Sequence, residues 1–211
     1  MIFYLILLIL STINYLKEVE MAIEDQIKWD TKYSETPKLL EKREVGVQLK
    51  KAIKHSKVGM ALDIACGAGK NSIFLAENDF EVEALDISKV ALDVLKKHNY
   101  KNITTVLTDL DGFSPVENTY DLIVMTNFLD RDMIPRLVKG LTSKGILFIE
   151  TYMEHISNTK KSSNLNYLLK EGELKSFFND EYVVVDYCEF DNEPYELYKM
   201  RKQSITIQKI T

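Results

Sequence analysis

The clearest chemical signal in the chain is the segment Asp63-Ile-Ala-Cys-Gly-Ala-Gly-Lys-Asn-Ser72. Asp63 lies near the end of a short apolar run, and the glycines Gly67 and Gly69 precede a helix-like stretch. Glycines let the backbone turn sharply and approach a ligand, and the free N–H groups that begin a helix can bind a carboxylate or a phosphate. The segment therefore predicts a loop that binds a nucleoside or a dinucleotide. A plain strand-to-helix turn is the alternative explanation of the glycines.

Two more acids end the strands predicted to follow this loop. Asp86 stands 17 residues after Gly69, and Asp109 ends the next strand. A carboxylate at the end of the second strand of a nucleotide-binding sheet accepts hydrogen bonds from ribose hydroxyls. Because three successive strands end in acids, we expect a rim that suits hydroxyl and amino donors better than a polyphosphate. Asp86 could otherwise be an ordinary solvated acid.

Alternating patterns of strand and helix bring these acids to one edge of a sheet. Strands are predicted at 60–65, 80–86, 103–109, 120–125 and 145–151, and helices at 38–55, 71–77 and 88–99, with a further helix capped by Asp132. Such a series predicts an α/β fold with a Rossmann-like, doubly wound, mostly parallel sheet. After a polar loop at 153–170 and a short helix at 171–178, the strands at 182–187 and 204–210 lack a crossover helix and are predicted to be antiparallel.

Composition narrows the classes of protein that remain. The 211 residues are 45% apolar and carry a net charge of −5, so we expect one folded core and no basic surplus for binding nucleic acid. The two cysteines, Cys66 and Cys188, and the three histidines show no spacing typical of a zinc site. We therefore predict no metal and a reducing, cytoplasmic location.

Residues 1–20 differ in character from the rest of the chain. Their uncharged run Ile2–Leu10 is shorter than the about 20 apolar residues of a membrane span, and it lacks the basic start and small-residue cleavage site of a secretory signal. We interpret residues 1–20 as an extension produced by an over-long gene assignment, with Met21 as the start of a single domain over 21–211. A weak membrane anchor and an additional packed helix are the alternatives, although a role at the membrane is not expected.

Together, the pattern Asp63-x-Ala65-x-Gly67-x-Gly69, the acids Asp86 and Asp109, and the strand at 120–128 resemble the class I S-adenosylmethionine-dependent methyltransferases, especially the small tellurite-resistance-like branch. The resemblance runs from about Trp29 to the C-terminus, with Ala65 where the family usually has glycine. It implies S-adenosylmethionine as cofactor and a seven-stranded sheet with an antiparallel last strand. It also implies that the glycine loop contacts the methionyl part, Asp86 the ribose, and Asp109 with Leu110 the adenine. The whole implied cofactor set is Asp63, Ala65, Cys66, Gly67, Gly69, Asn71, Asp86, Ile87, Asp109, Leu110 and Thr126.

Two other functions remain open at this point. The run from Gly67 to Ser72 is GxGxxG with serine in the last place, which keeps an NAD-dependent oxidoreductase possible, although serine weakens the close helix–strand packing. The chain also lacks an obvious second substrate domain. A regulatory protein that binds S-adenosylmethionine without catalysis is the other alternative.

Methyl transfer from a sulfonium is an in-line displacement, so the main task of the protein is to position donor and acceptor, which can supply about 7–11 kcal/mol. A base is needed only if the nucleophile arrives protonated. The candidate catalytic residues are Asn127, Tyr152 and His155; a turn role is the alternative for Asn127, and His155 could be an inert surface residue. We expect a small-molecule acceptor in a pocket at the ends of the fourth and fifth strands, walled by Asn127, Phe128, Tyr152, the loop 153–170, Trp29 and Tyr33.

Three side chains near this site could also have purely structural roles. Trp29 and Tyr33 either cover the site as a lid or pack as a hydrophobic staple against the sheet. Cys66 is expected to fill space beside the loop rather than to react. The sequence leaves the identity of the acceptor and the oligomeric state open.

Overall fold

Seven strands form one sheet in a computed structural model, which describes residues 22–41, 43–162, 164–194, 196 and 198–211. The strands are β1 (Met60–Ile64), β2 (Glu81–Asp86), β3 (Ile103–Leu107), β4 (Tyr120–Thr126), β5 (Leu141–Tyr152), β6 (Tyr182–Asp191) and β7 (Arg201–Lys209). Their spatial order is β3-β2-β1-β4-β5-β7-β6. β7 runs antiparallel to β5 and β6, and the other neighbouring pairs are parallel. The predicted fold class, including the antiparallel last strand, is confirmed.

The helices flank this sheet and begin where the sequence supplies a cap or a break. They are α1 (residues 22–35), α2 (Val47–Ala52), α3 (Lys70–Ala76), α4 (Lys89–Lys97) and α5 (Ile134–Gly140), with 3-10 turns at Pro37–Leu40, Ile53–His55, Leu165–Tyr167 and Glu173–Phe177. Ser88 caps α4 as predicted, because its hydroxyl accepts the N–H of Ala91 at 3.1 Å.

Apolar side chains cover both faces of the sheet. Successive strand residues point to opposite faces, so each central strand contributes to two apolar layers. One layer packs against α5 and includes Leu62, Ile64, Ile123, Met125, Leu147 and Ile149. The other packs against α2 and α3 and includes Ala61, Leu122, Val124, Ile146 and Phe148. Polar residues at the carboxyl ends of the strands therefore stand on a rigid, buried frame.

Three predicted elements differ from the structure. The helix at 38–55 is replaced by a 3-10 turn, an extended stretch and the short α2, because Gly46 interrupts the helix with φ −56° and ψ 145°. Asp132 does not cap α5. The N-cap residue is Met133, which makes no side-chain cap bond, and Oδ1 of Asp130 accepts the N–H groups of Asp132 and Met133 at 2.9 and 3.1 Å in the turn before α5. The predicted short helix at 171–178 is a 3-10 turn.

The N-terminal prediction lies outside the described residues, since residues 1–20 are not among them. No helix in the described part of the chain is both long and apolar enough to span a membrane. The single domain over 21–211 stays a prediction.

Candidate cofactor and acceptor site

The loop between β1 and α3 is held in an unusual backbone conformation. Ala65, Gly67 and Gly69 have φ values of +53°, +56° and +82°, all in the left-handed region that glycine adopts most readily. The N–H of Cys66 donates to the carbonyl of Leu85 at 2.9 Å, which fastens the loop to the end of β2. Ala65, where the resembling family usually has glycine, adopts this conformation as well.

The two glycines of this loop serve different purposes. A Cβ on Gly67 would lie 2.9 Å from the hydroxyl oxygen of Tyr33 and near no other atom beyond that ring. A Cβ on Gly69 would overlap Cδ1 of Leu95 and lie 2.7 and 2.8 Å from its Cδ2 and Cγ. Gly69 thus permits α3 to pack on α4, whereas Gly67 keeps the side of the loop that faces Tyr33 free of a side chain.

Asp86 connects the loop to the end of β2. Its Oδ2 accepts the N–H of Gly67 at 2.7 Å, and its Oδ1 accepts the N–H of Ser88 at 2.8 Å. The residue is only 6% exposed, and burial raises the pKa of its carboxyl against the opposing effect of these two N–H groups. Each oxygen of an ionised carboxylate has a second lone pair, so Asp86 can still accept two ribose hydroxyls.

Asp63 is the buried acid beneath the loop. It is 1% exposed, and its Oδ2 accepts the hydroxyl of Ser72 at 2.6 Å. Its Oδ1 is buried and has no hydrogen-bond partner within the described ranges. Burial raises the pKa of this carboxyl to about 7. A buried carboxylate oxygen without a partner fits a site that receives a donor or a positive charge from a ligand.

Most of the predicted cofactor residues meet at the carboxyl ends of β1, β2 and β4. The side-chain amide of Asn71 donates to the hydroxyl of Thr126 at 2.8 Å, which joins α3 to the end of β4. Ile87 is half-buried directly after Asp86. Cys66 packs against the layer beside α3, and burial raises the pKa of its thiol, which matches a filling role.

Asp109 and Leu110 follow β3, one strand further out. Asp109 is half-buried and accepts the N–H of Asp111 at 3.0 Å. Leu110 is buried in the layer that packs against α5. Their placement is compatible with the adenine end of a ligand that extends from β1 across β2 toward β3.

Helix α1 lies over this loop. Oδ1 of Asp30 accepts the hydroxyl of Ser88 at 2.6 Å and the N–H of Val90 at 3.1 Å, which attaches α1 to the start of α4. The rings of Trp29 and Tyr33 lie 5.9 Å apart, and Tyr33 faces Gly67. Sequence reasoning predicted no helix over these residues, but Trp29 and Tyr33 both lie within α1. It also missed the attachment through Asp30, which has no local pattern.

The three candidate catalytic residues do not form one group. Asn127 is exposed, has φ +55°, and donates its backbone N–H to the carbonyl of Glu150 at 2.8 Å. The hydroxyl of Tyr152 donates to Glu196 at 2.8 Å. His155 is exposed, and its Nδ1 lies 2.7 Å from the hydroxyl of Ser157 within its own turn. Asn127 therefore matches the turn role that was its alternative.

A cluster of charged side chains beside β5 and β7 was not predicted from the sequence. Lys202 of β7 is 2% exposed, and its Nζ lies 3.3 Å from Glu150, 3.3 Å from Glu196 and 3.7 Å from Glu193. β7 places Lys202 opposite Tyr152 of β5. The cluster joins residues up to 52 positions apart, so only the pairing of β5 with β7 could have revealed it.

The strand order 3-2-1-4-5-7-6 and an acid-bordered glycine loop at the ends of β1 and β2 define the class as the Rossmann-like fold of S-adenosylmethionine-dependent methyltransferases. A family model described as "Tellurite resistance protein TehB" matches residues 21–208. The chain therefore belongs to the TehB family, as the sequence resemblance predicted.

The similar proteins agree with this assignment. A curated relative from Haemophilus influenzae, "Probable S-adenosyl-L-methionine-dependent methyltransferase TehB", is 28% identical over 147 residues, which cover 65% of this chain and 50% of the relative. The chain thus spans about half the length of the curated relatives it matches. The crystal structure of TehB from the same organism matches with a TM-score of 0.66 and 23% identity, over 78% of this chain and 62% of that one.

A second solved structure matches over almost its whole length. An S-adenosylmethionine-dependent methyltransferase from Methanosarcina mazei has a TM-score of 0.62 and 16% identity, over 80% of this chain and 99% of that one. At these identities the solved structures establish the fold, and the chemistry has to be argued from the residues of the site.

Proposed function

We propose that this chain binds S-adenosylmethionine and transfers its methyl group to a small-molecule acceptor. The observation that carries the proposal is the pairing of Asp86 with the Gly67 loop, in which both carboxylate oxygens are fixed by N–H groups at 2.7 and 2.8 Å. This arrangement lies beside the point where the strand order reverses between β1 and β4, where open α/β sheets bind their ligands.

The charges around the loop support a cationic cofactor over a dinucleotide. Asp63 and Asp86 place two carboxyl groups beneath and beside the loop, and Oδ1 of Asp63 has no partner among the residues described. In their ionised forms these carboxyl groups attract a sulfonium or an ammonium and repel the two phosphates of NAD. This is the physical reason to prefer S-adenosylmethionine to NAD.

When bound, the cofactor supplies an electrophilic methyl group on a sulfonium. Asp86 would accept the ribose hydroxyls, and the side with no Cβ at Gly67 would admit the methionyl part. Asn71 and Thr126 fix α3 to β4 at 2.8 Å, so they hold the loop at a constant distance from the acceptor side. Holding two reactants in line can contribute about 7–11 kcal/mol, and this is the main catalytic work that we assign to the chain.

The contacts of α1 bear on how ligands enter. Because Asp86 is buried and Tyr33 faces Gly67, we infer that α1 moves away when the cofactor binds and returns over it. Such closure excludes water from the reacting methyl group. This gives Trp29 and Tyr33 the covering role rather than the role of a staple.

A small acceptor is favoured by charge and by the walls of the site. A net charge of −5 offers little counterion release to a nucleic acid. Tyr152, Trp29 and Tyr33 supply aromatic surface, and the charged cluster of residues beside Tyr152 supplies polar groups, a combination found in small-molecule sites. We also propose that the protein acts in the cytoplasm without a metal.

Methyl transfer from S-[methyl-³H]adenosylmethionine to a panel of metabolites and thiols, beside bulk RNA, DNA and protein, tests this proposal. Label in the small-molecule fraction supports it. Label found solely in macromolecules would refute a small acceptor. Cofactor binding with no labelled product in any fraction would favour a non-catalytic S-adenosylmethionine-binding protein.

A further inference from the structure

Glu150 occupies the end of β5 on the side of the sheet that faces α2 and α3. It pairs in register with Thr126 of β4, whose hydroxyl is bonded to Asn71 in the first turn of α3. Glu150 therefore stands two strands from β1 and its loop, with β4 between them. This is the position at which a methyl acceptor would meet the cofactor proposed above.

The two carboxylate oxygens of Glu150 differ in their surroundings. Oε1 lies 3.3 Å from Nζ of Lys202. Oε2 receives no hydrogen bond from any residue that the structure describes, although Glu150 is only 5% exposed. A Cβ on Gly46 would lie 3.4 Å from this Oε2, so the absence of a side chain at position 46 leaves space in front of it. This oxygen thus has no hydrogen-bond partner among the described residues, and it faces the backbone of Gly46 rather than a side chain.

Charged groups from several elements surround this carboxylate. Lys202 of β7 holds it, Glu193 and Glu196 of the segment between β6 and β7 share that lysine, and Lys70 of α3 is close enough to interact. The hydroxyl of Tyr152 is directed to Glu196. Burial raises the pKa of the Glu150 carboxyl, and Lys202 opposes that rise. The carboxylate of Glu150 is therefore more basic than that of an exposed glutamate.

We propose that Glu150 is the catalytic base that takes the proton from the methyl acceptor, with Lys202 as the positioning residue that fixes its carboxylate. The proposal rests on the methyltransferase function argued above. The three residues selected from the sequence do not fit this role: Asn127 cannot accept a proton at its amide, Tyr152 is directed to Glu196, and His155 is exposed within its own turn.

The proposed step balances with the groups named. As the acceptor atom forms its bond to the methyl carbon, the bond between that carbon and the sulfur breaks, and the electron pair stays on sulfur as a neutral thioether. The proton of the acceptor passes to Oε2 of Glu150 and later leaves to water. An acceptor that carries no proton on its nucleophilic atom needs no such transfer.

This difference between acceptors provides the test. Glu150→Gln keeps the shape of the side chain and removes its basicity. With 2-mercaptoethanol at pH 7 as a proton-bearing acceptor, we expect kcat to fall about 100-fold or more, because general-base catalysis contributes about 10²–10⁴-fold. With iodide, which carries no proton, we expect less than a threefold change. The rate of the variant with the thiol should recover toward that of the parent above the pKa of the thiol.

Two variants and one binding measurement serve as controls. Glu83→Gln alters a half-buried glutamate bonded to Tyr120 near the opposite end of the strands, and it should leave both rates unchanged. Lys202→Arg should retain at least a third of the thiol rate, whereas Lys202→Met should lose most of it. The dissociation constant for S-adenosylmethionine should change less than twofold in Glu150→Gln.

The outcomes separate the two proposals. Equal thiol rates in parent and Glu150→Gln, or equal losses with thiol and iodide, would overturn the role of Glu150. A parent protein that binds cofactor yet methylates neither probe nor any member of the metabolite panel would overturn the proposed function itself, and the proposal on Glu150 with it.

Discussion

Replacing Gly69 by alanine tests how the loop is built, because two separate costs can be derived from its geometry. With φ at +82°, an alanine at this position bears the strain of the left-handed region, about 1–2 kcal/mol. Its Cβ would also overlap the buried side chain of Leu95, and overpacking of this kind costs about 1–3 kcal/mol. We therefore expect Gly69→Ala to lower the free energy of unfolding by about 2–5 kcal/mol.

Differential scanning calorimetry measures this change. For a domain of this size each kcal/mol corresponds to about 2–4 °C, so Tm should fall by about 4–20 °C. Leu95→Ala alone should cost about 2–5 kcal/mol. In the double variant the overlap is gone, so the combined loss should be smaller than the sum of the single losses by about 1–3 kcal/mol. Strict additivity, or a Tm within 1 °C of the parent in Gly69→Ala, would refute the argument that this glycine serves packing.

Four further changes test other parts of the account. Asp86→Ala should weaken S-adenosylmethionine binding by about 10- to 100-fold in calorimetric titration, because a hydrogen bond to a charged group is worth about 1.5–3 kcal/mol. An unchanged affinity in a folded variant would contradict the assignment of Asp86 to the ribose. Gly67→Val should abolish the rise in Tm that the cofactor causes, because the valine side chain would occupy the space between the loop and Tyr33. A rise as large as that of the parent protein would mean that the loop is only a turn. Asp63 has a pKa of about 7 when folded against 3.8 in the reference state, so the folded protein binds the extra proton and its free energy of unfolding should decrease as pH rises from about 4 to 7. Asp63→Asn should flatten that part of the pH profile in urea titrations, and an identical slope in the variant would contradict the burial argument. A chain that starts at Met21 should bind cofactor as tightly as the full chain, and a loss of binding or aggregation would show that residues 1–20 belong to the fold.

Local signals in the sequence predicted the main features of the proposed cofactor site. The glycines after Asp63, the acid that ends β2 and the cap at Ser88 can each be identified from residues within a few positions. The structure then brings Asp86 to the N–H of Gly67, 19 positions earlier in the chain. The antiparallel pairing of β6 and β7 followed from the missing crossover helix between them. These features depend on short-range chemistry, which a single sequence contains.

The proposed acceptor site depends on strand and helix pairings that no local sequence pattern contains. Lys202 meets Glu150 because β7 inserts between β5 and β6, and Asp30 meets Ser88 because α1 packs on α4. The helix predicted at 38–55 was wrong because its apolar residues suggested one amphipathic face, while Gly46 breaks the helix beside Glu150. Long-range contacts of this kind require the folded sheet.

The most direct test of the central claim is calorimetric titration of the purified protein with S-adenosylmethionine, its demethylated product and NAD. We expect saturable binding of S-adenosylmethionine and of the demethylated product, with both affinities reduced in Asp86→Ala and no measurable binding of NAD. Saturable binding of NAD together with no binding of S-adenosylmethionine would contradict the central claim.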